Sequence, residues 1–100
     1  MNYGLSENTI NKLFSVFRVF PQIEKVILYG SRATGTFREG SDIDFAVEGN
    51  IDYNLLLKIG SSIDELNLPY ETDILSYQNI ENKELKEQID LNGIVFFENK

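Results

Sequence analysis

The chain reads as a small α/β domain: a mixed β-sheet with helices packed on one face. Three observations predict this. Apolar residues recur at helical spacing near the start, at Ile10, Leu13, Phe14 and Phe17. Two short apolar runs of strand length follow, around Val26 to Tyr29 and Ile43 to Val47. Helical and strand patterns then alternate to the end of the chain, as in domains that layer helices on a sheet.

Each element has its own signal. Ser6 is a helix N-cap with Glu7 in the first turn, and Pro21 after Phe20 marks the end of the first helix. Lys25 to Tyr29 forms the first strand. Residues 31–41 hold Ser31, Gly35, Gly40 and Ser41, and read as turn and loop. Asp42 to Val47 is the second strand, broken by Gly49-Asn50. Asp52 caps a second helix carrying Leu55, Leu56, Ile59, Ile63 and Leu66, within which Gly60 costs about 1 kcal/mol relative to Ala. Leu68-Pro69 ends it. Tyr70 to Leu75 is the third strand, Glu81 to Asp90 a third helix with Leu85 and Ile89 inward, and Ile94 to Phe97 a last strand after the break at Gly93. The order is α-β-β-α-β-α-β over a single domain, residues 1–100. No internal repeat or linker interrupts it.

Composition removes several classes of chemistry. The 100 residues carry 16 acids against 9 bases, a net charge of −7, which argues against extensive nucleic-acid backbone binding. There is no Cys and no His. Disulfides, thiolate or imidazole metal sites and His general bases are therefore unavailable, and acid–base or metal work falls mainly to carboxylates. The start of the chain lacks a signal peptide's pattern, and no apolar run approaches the roughly 18 residues of a membrane span. The expectation is a cytoplasmic protein with no membrane contact.

The chemistry-bearing pattern is Gly30-Ser31 followed by Asp42-Ile43-Asp44. Side chains alternate across a strand, so Asp42 and Asp44 share one face while Ile43, Phe45 and Val47 take the other. Two acids on one face repel and resist desolvation, and a divalent cation is the simplest offset. Gly30 allows close ligand approach, and a helix starting at Ser31 would favour a phosphate through its free N–H groups. In Tyr70 to Leu75, Glu71 and Asp73 face away from Thr72 and Ile74, so Asp73 can join the other two acids if the strands are neighbours. Arg32 and Arg38 are further phosphate candidates, each with the alternative of a plain loop arginine. Glu81, Glu84 and Glu87 read as a solvated helix face. Two better-known motifs fail. Gly30 to Gly35 has P-loop spacing, but Thr36-Phe37 stands where Lys-Ser/Thr is required. An EF-hand loop starting at Asp42 fails at Ala46 and Val47.

The segment from Tyr29 to Val47, with its Arg-x-Gly-Ser-Asp lead-in, resembles the nucleotidyltransferase superfamily that includes DNA polymerase beta. It is most similar to the minimal nucleotidyltransferase (MNT) branch, whose members are about one small domain. The resemblance implies that Asp42, Asp44 and Asp73 are catalytic and hold two Mg²⁺ ions. It implies a nucleotide-binding set of Gly30, Ser31, Arg32, Arg38 and Ser41, with ATP as substrate. It further implies an antitoxin that transfers AMP to a hydroxyl, commonly of tyrosine, on a HEPN-domain ribonuclease toxin. Two other readings stand beside it: an antitoxin that neutralises its partner by contact alone, and a small-molecule nucleotidyltransferase of the antibiotic-modifying type.

Overall fold

A computed structural model describes residues 3–99; positions 1, 2 and 100 of the expected domain lie outside the described residues. Helix α1 spans Glu7–Phe17, and Ser6 caps it by accepting the Thr9 N–H at 3.1 Å. Strand β1 spans Ile23–Tyr29, the short helix α2 Ser31–Thr34, and strand β2 Ile43–Gly49. Helix α3 spans Tyr53–Asp64, with Asp52 Oδ1 accepting the Leu55 N–H at 2.8 Å. Strand β3 covers Thr72–Ser76 and a single 3₁₀ turn follows at Tyr77–Asn79. Helix α4 spans Lys83–Asn92 and strand β4 Ile94–Glu98.

Pairing makes one mixed sheet in the order β3-β2-β1-β4. β1 runs antiparallel to β2 and to β4, and β2 runs parallel to β3. The apolar sides of these strands meet α1 and α3. Phe17 and Phe45 are fully buried and meet edge to face, their ring centres 5.3 Å apart at 89°. Phe96 joins them at 4.9 Å from Phe45, and Phe14 lies 5.2 Å from Phe96. Leu13, Ile23, Val26, Leu28, Ile43, Val47, Ile59 and Ile63 complete this layer.

Several details differ from the sequence expectation, each for an identifiable physical reason. β1 begins two residues earlier than Lys25, because Ile23 finds a partner in Gly49 across an irregular register. Segment 31–41 is not all loop, since α2 closes a turn through the Ala33 and Thr34 N–H groups to Gly30 O. Tyr70 and Glu71 stay outside β3, with the Tyr70 ring turned onto Arg32 instead. α4 starts two residues late because Asn82, whose Oδ1 accepts the Leu85 N–H, is the better N-cap. α1 and α3 cover one face as expected, whereas α4 crosses one end of the other. There Ile89 is buried outside the main cluster and Gly93 sits so close to Ile27 that a Cβ would come within 2.6 Å of its Cγ2. Gly93 is required by this close approach. The rest of that second face, where β2 begins, is left to the acids.

The core and the caps should therefore differ clearly in weight. Phe17→Ala is expected to cost about 3–5 kcal/mol, whereas Asp52→Ala, which removes only the α3 cap, should cost about 1 kcal/mol. Urea unfolding of both variants checks the ranking.

Candidate active site

The site begins with register. In the parallel β2–β3 pair Asp44 lies directly opposite Asp73, and in the antiparallel β1–β2 pair it lies opposite Tyr29. Asp44 is thus flanked on both neighbouring strands by site-facing side chains. Asp42 stands just before β2 on the same side. Asp44 is half-buried, while Asp42 and Asp73 are exposed.

The electrostatics follow. Burial, then the Asp73 charge, then the Asp42 charge push the Asp44 carboxyl above its ordinary value of 3.8. Tyr29 is pushed up to about 12, first by burial and then by Asp44 and Asp73. It is a neutral phenol at any physiological pH and adds no charge to the cluster. Tyr29 is not among the site residues expected from sequence, although its position immediately before Gly30, at the end of an apolar strand, signals it.

Gly30 couples the turn to the acids. Its backbone lies at φ +77°, a region that residues with a Cβ rarely adopt, and an added Cβ would fall 2.5 Å from Asp44 Oδ2. Ser31 is the first residue of α2. The Ala33 and Thr34 N–H groups are the first to close onto Gly30 O, so the Ser31 and Arg32 N–H groups precede the helical bonding pattern. Gly30, Ser31, Asp42, Asp44 and Asp73 are accordingly gathered at one end of the open face.

The arginines and Ser41 have other placements. Arg32 is 2% exposed, and its guanidinium donates to Ser41 O through Nε and Nη2 and to Tyr3 O through Nη1. The Phe37 and Tyr70 rings lie 5.1 and 4.7 Å from it. Three of its five N–H groups are thus held by backbone carbonyls, and at 2% exposure it offers little surface for the phosphate contact expected of it. Ser41 also serves the loop. Its Oγ accepts the Arg38 N–H at 2.8 Å, and Gly40 before it holds φ +82°. Arg38 is exposed and lines, with Arg32, Phe37 and Tyr70, a concavity of about 290 Å³ that none of the three acids touches.

The donor set fits magnesium in type: every candidate metal ligand is a carboxylate, and burial together with the Asp73 and Asp42 charges disfavours the Asp44 anion. Among the described residues no three acids stand close enough to hold an ion by themselves.

A Gly-Ser turn against Asp-x-Asp, with a third acid on the parallel neighbour, is a nucleotidyltransferase arrangement. The chain belongs to the polymerase beta nucleotidyltransferase family, which it matches over residues 11–100. A protein of Methanocaldococcus jannaschii assigned as a protein adenylyltransferase is 38% identical over 65 residues, a match covering 57% of this chain and 63% of that protein. The chain thus matches a little under two thirds of that relative. The fold is similar to a toxin–antitoxin structure containing AMP-PNP, with a TM-score of 0.72 at 21% identity over 91% of this chain and 74% of the other. It is also similar to a structure of a tri-AMPylated Shewanella oneidensis HEPN toxin in complex with MNT antitoxin, with a TM-score of 0.69 at 17% identity over 95% and 74% of the two chains.

Two outcomes test this geometry. Because the Asp44 carboxyl is raised in the fold, its ionisation opposes folding. The penalty is absent below 3.8, grows as pH rises from there to the raised native value, and is complete above it. Asp44→Asn should therefore stabilise the protein modestly at pH 7, and the gain should vanish near pH 3 in urea titrations. Arg32→Ala should lower stability by about 2–5 kcal/mol, since it strands buried carbonyls and two ring faces. A phosphate-binding arginine would instead lose nucleotide affinity with stability unchanged.

Proposed function

We propose that this chain is a Mg²⁺-dependent protein adenylyltransferase acting as an antitoxin, which moves AMP from ATP to a hydroxyl of a HEPN-domain toxin. The observation that carries this reading is the Asp44–Asp73 register pair set against the Gly30 turn. Family membership and the relative's assignment support nucleotidyl transfer. The HEPN partner and AMP as the group moved rest on the similar complexes. We take residues 1–100 as one minimal nucleotidyltransferase domain working in the cytoplasm; among the described residues no helix is long and apolar enough to cross a membrane.

In this mechanism Asp42, Asp44 and Asp73 would hold the Mg²⁺ ions, which when bound would offset the charge between carboxylates and phosphates and supply Lewis-acid stabilisation of the phosphoryl transfer. Ser31 and the backbone N–H groups at the start of α2 receive the β- and γ-phosphates, with Gly30 allowing their close approach. Asp73, exposed at the edge of the acid cluster, takes the proton of the acceptor hydroxyl. The acceptor oxygen bonds to the α-phosphorus as the bond to the β-phosphate breaks, and pyrophosphate leaves. Tyr29, still protonated, bounds the site without adding charge.

The acids lie on an open face, with Asp42 and Asp73 exposed. Small-molecule sites are enclosed pockets. The openness therefore favours an acceptor carried on a protein that covers the site, and disfavours antibiotic-type transfer. Neutralisation by contact alone is the rival reading, and one experiment separates the two. The chain, ATP, Mg²⁺ and its HEPN partner are incubated and the intact masses recorded. One or more AMP units should be added to the partner. Asp44→Asn should slow this by more than roughly 100-fold, since even outer-shell partners of metal sites are worth about 10–100-fold. Full neutralisation of the toxin by Asp42→Asn/Asp44→Asn without mass gain would establish the contact reading instead.

A further inference from the structure

The structure assigns a second binding surface, apart from the acids, along the free edge of β3. We propose that this edge accepts an extended segment of a partner protein as an added strand. The segment carries a lysine or arginine and, four residues away on the same face, a large apolar side chain. This inference is independent of nucleotide transfer.

β3 is the terminal strand of the sheet, paired only with β2 among the described residues. The Ile43 N–H donates to Glu71 O at 2.9 Å. That bond sets the phase of the parallel ladder: Glu71, Asp73 and Leu75 point their backbone groups at β2. Thr72, Ile74 and Ser76 then point theirs outward. Such a row of outward N–H and C=O groups is a template for another strand.

Beside this edge, on the side facing α3, lie two concavities. One, of about 360 Å³, is lined by Ile63, Asp64, Asn67, Tyr70, Glu71 and Thr72 among others. The other, of about 370 Å³, is mainly apolar and is lined by residues including Leu56, Ile74, Ser76, Ile80 and Leu85. Between them α3 comes down onto the strand, where a Cβ on Gly60 would lie 3.5 Å from Ile74 Cδ1. Thr72 and Ser76 are four residues apart, about 13 Å along a strand. An added strand points every second side chain to the α3 side, so residues i and i+4 would enter the two hollows.

The lining chooses the occupant. Asp64 and Glu71, both exposed acids, are among the residues lining the first hollow and suit a cationic side chain. The second suits a large apolar group. Within it Ser76 is 5% exposed, and its Oγ is buried with no hydrogen-bond partner among the described residues. A second copy of this chain is disfavoured, because two bodies of charge −7 repel and the first hollow is acidic.

The test uses a fluorescently labelled nine-residue peptide in a Thr/Val frame, with lysine at the centre and leucine at each end, so that either strand direction meets the spacing. Anisotropy titration against the native chain should show saturable binding. Hydrogen exchange at Thr72 and Ile74 should slow in the complex. Thr72→Pro removes one outward N–H and leaves the β2 ladder intact, and should weaken binding at least tenfold. Asp64→Lys/Glu71→Lys alters only exposed side chains, so it folds normally, and should also weaken binding at least tenfold. A glutamate-centred peptide should bind at least tenfold more weakly than the lysine-centred one. No binding to the native chain, or equal binding to the charge variant, overturns the proposal. So does a concentration-dependent dimer in sedimentation that Thr72→Pro dissolves, which would give the edge to a second copy.

Discussion

The pairing of β2 with β3 is the constraint on which the site depends. A parallel ladder fixes which residues stand side by side, and here it places two carboxylates opposite each other. Like charges about 4 Å apart repel by about 1 kcal/mol in water and by more near a protein surface. The opposite side of the same strands bears the opposing stabilisation, because Ile43, Phe45 and Val47 are fully buried beneath α1 and α3. Each buried side chain of this size contributes about 1.5–3 kcal/mol. The sheet is therefore stabilised on one face and strained by charge on the other.

Arg32 is the second organising element, and it explains how a loop of exposed residues is held in place. It ties the N-terminal segment at Tyr3, the loop at Ser41 and the turn before β3 at Tyr70 to one buried guanidinium. Its planar fork and weakly hydrated charge suit carbonyl oxygens and ring faces together. Through Ser41 it holds the residue immediately before Asp42. Through α2 it belongs to the same turn as Ser31. The loop's geometry and the site's geometry are thus joined by a residue that does not face the substrate side.

Much of this was legible beforehand. Helix caps at Ser6 and Asp52, the helical spacing of Leu13 and Phe17, and the alternation in Ile43 to Val47 each rest on local rules, and the structure follows them. Element ends were less legible. Ile23 joins β1 because of a partner at Gly49, and Tyr70 leaves β3 because of Arg32, and both partners are distant in sequence. The placement of α4 across the second face follows from the close approach of Gly93 to Ile27. An isolated glycine read from sequence signals only a break.

By itself the sequence removed His and Cys chemistry and left carboxylates as the main candidates, and it determined that Asp42 and Asp44 share a face, because strand side chains alternate. It also determined that a glycine-serine turn stands before them. Only the tertiary structure decided that Asp73 lies beside Asp44, that Tyr29 closes the other flank, and that Arg32 is buried while Arg38 is exposed. The reason is physical. Alternation, capping and turn chemistry act over a few residues and are written in composition and spacing. Strand order, register and the burial of one arginine rather than another arise from contacts across tens of residues, and those exist only once the chain has folded.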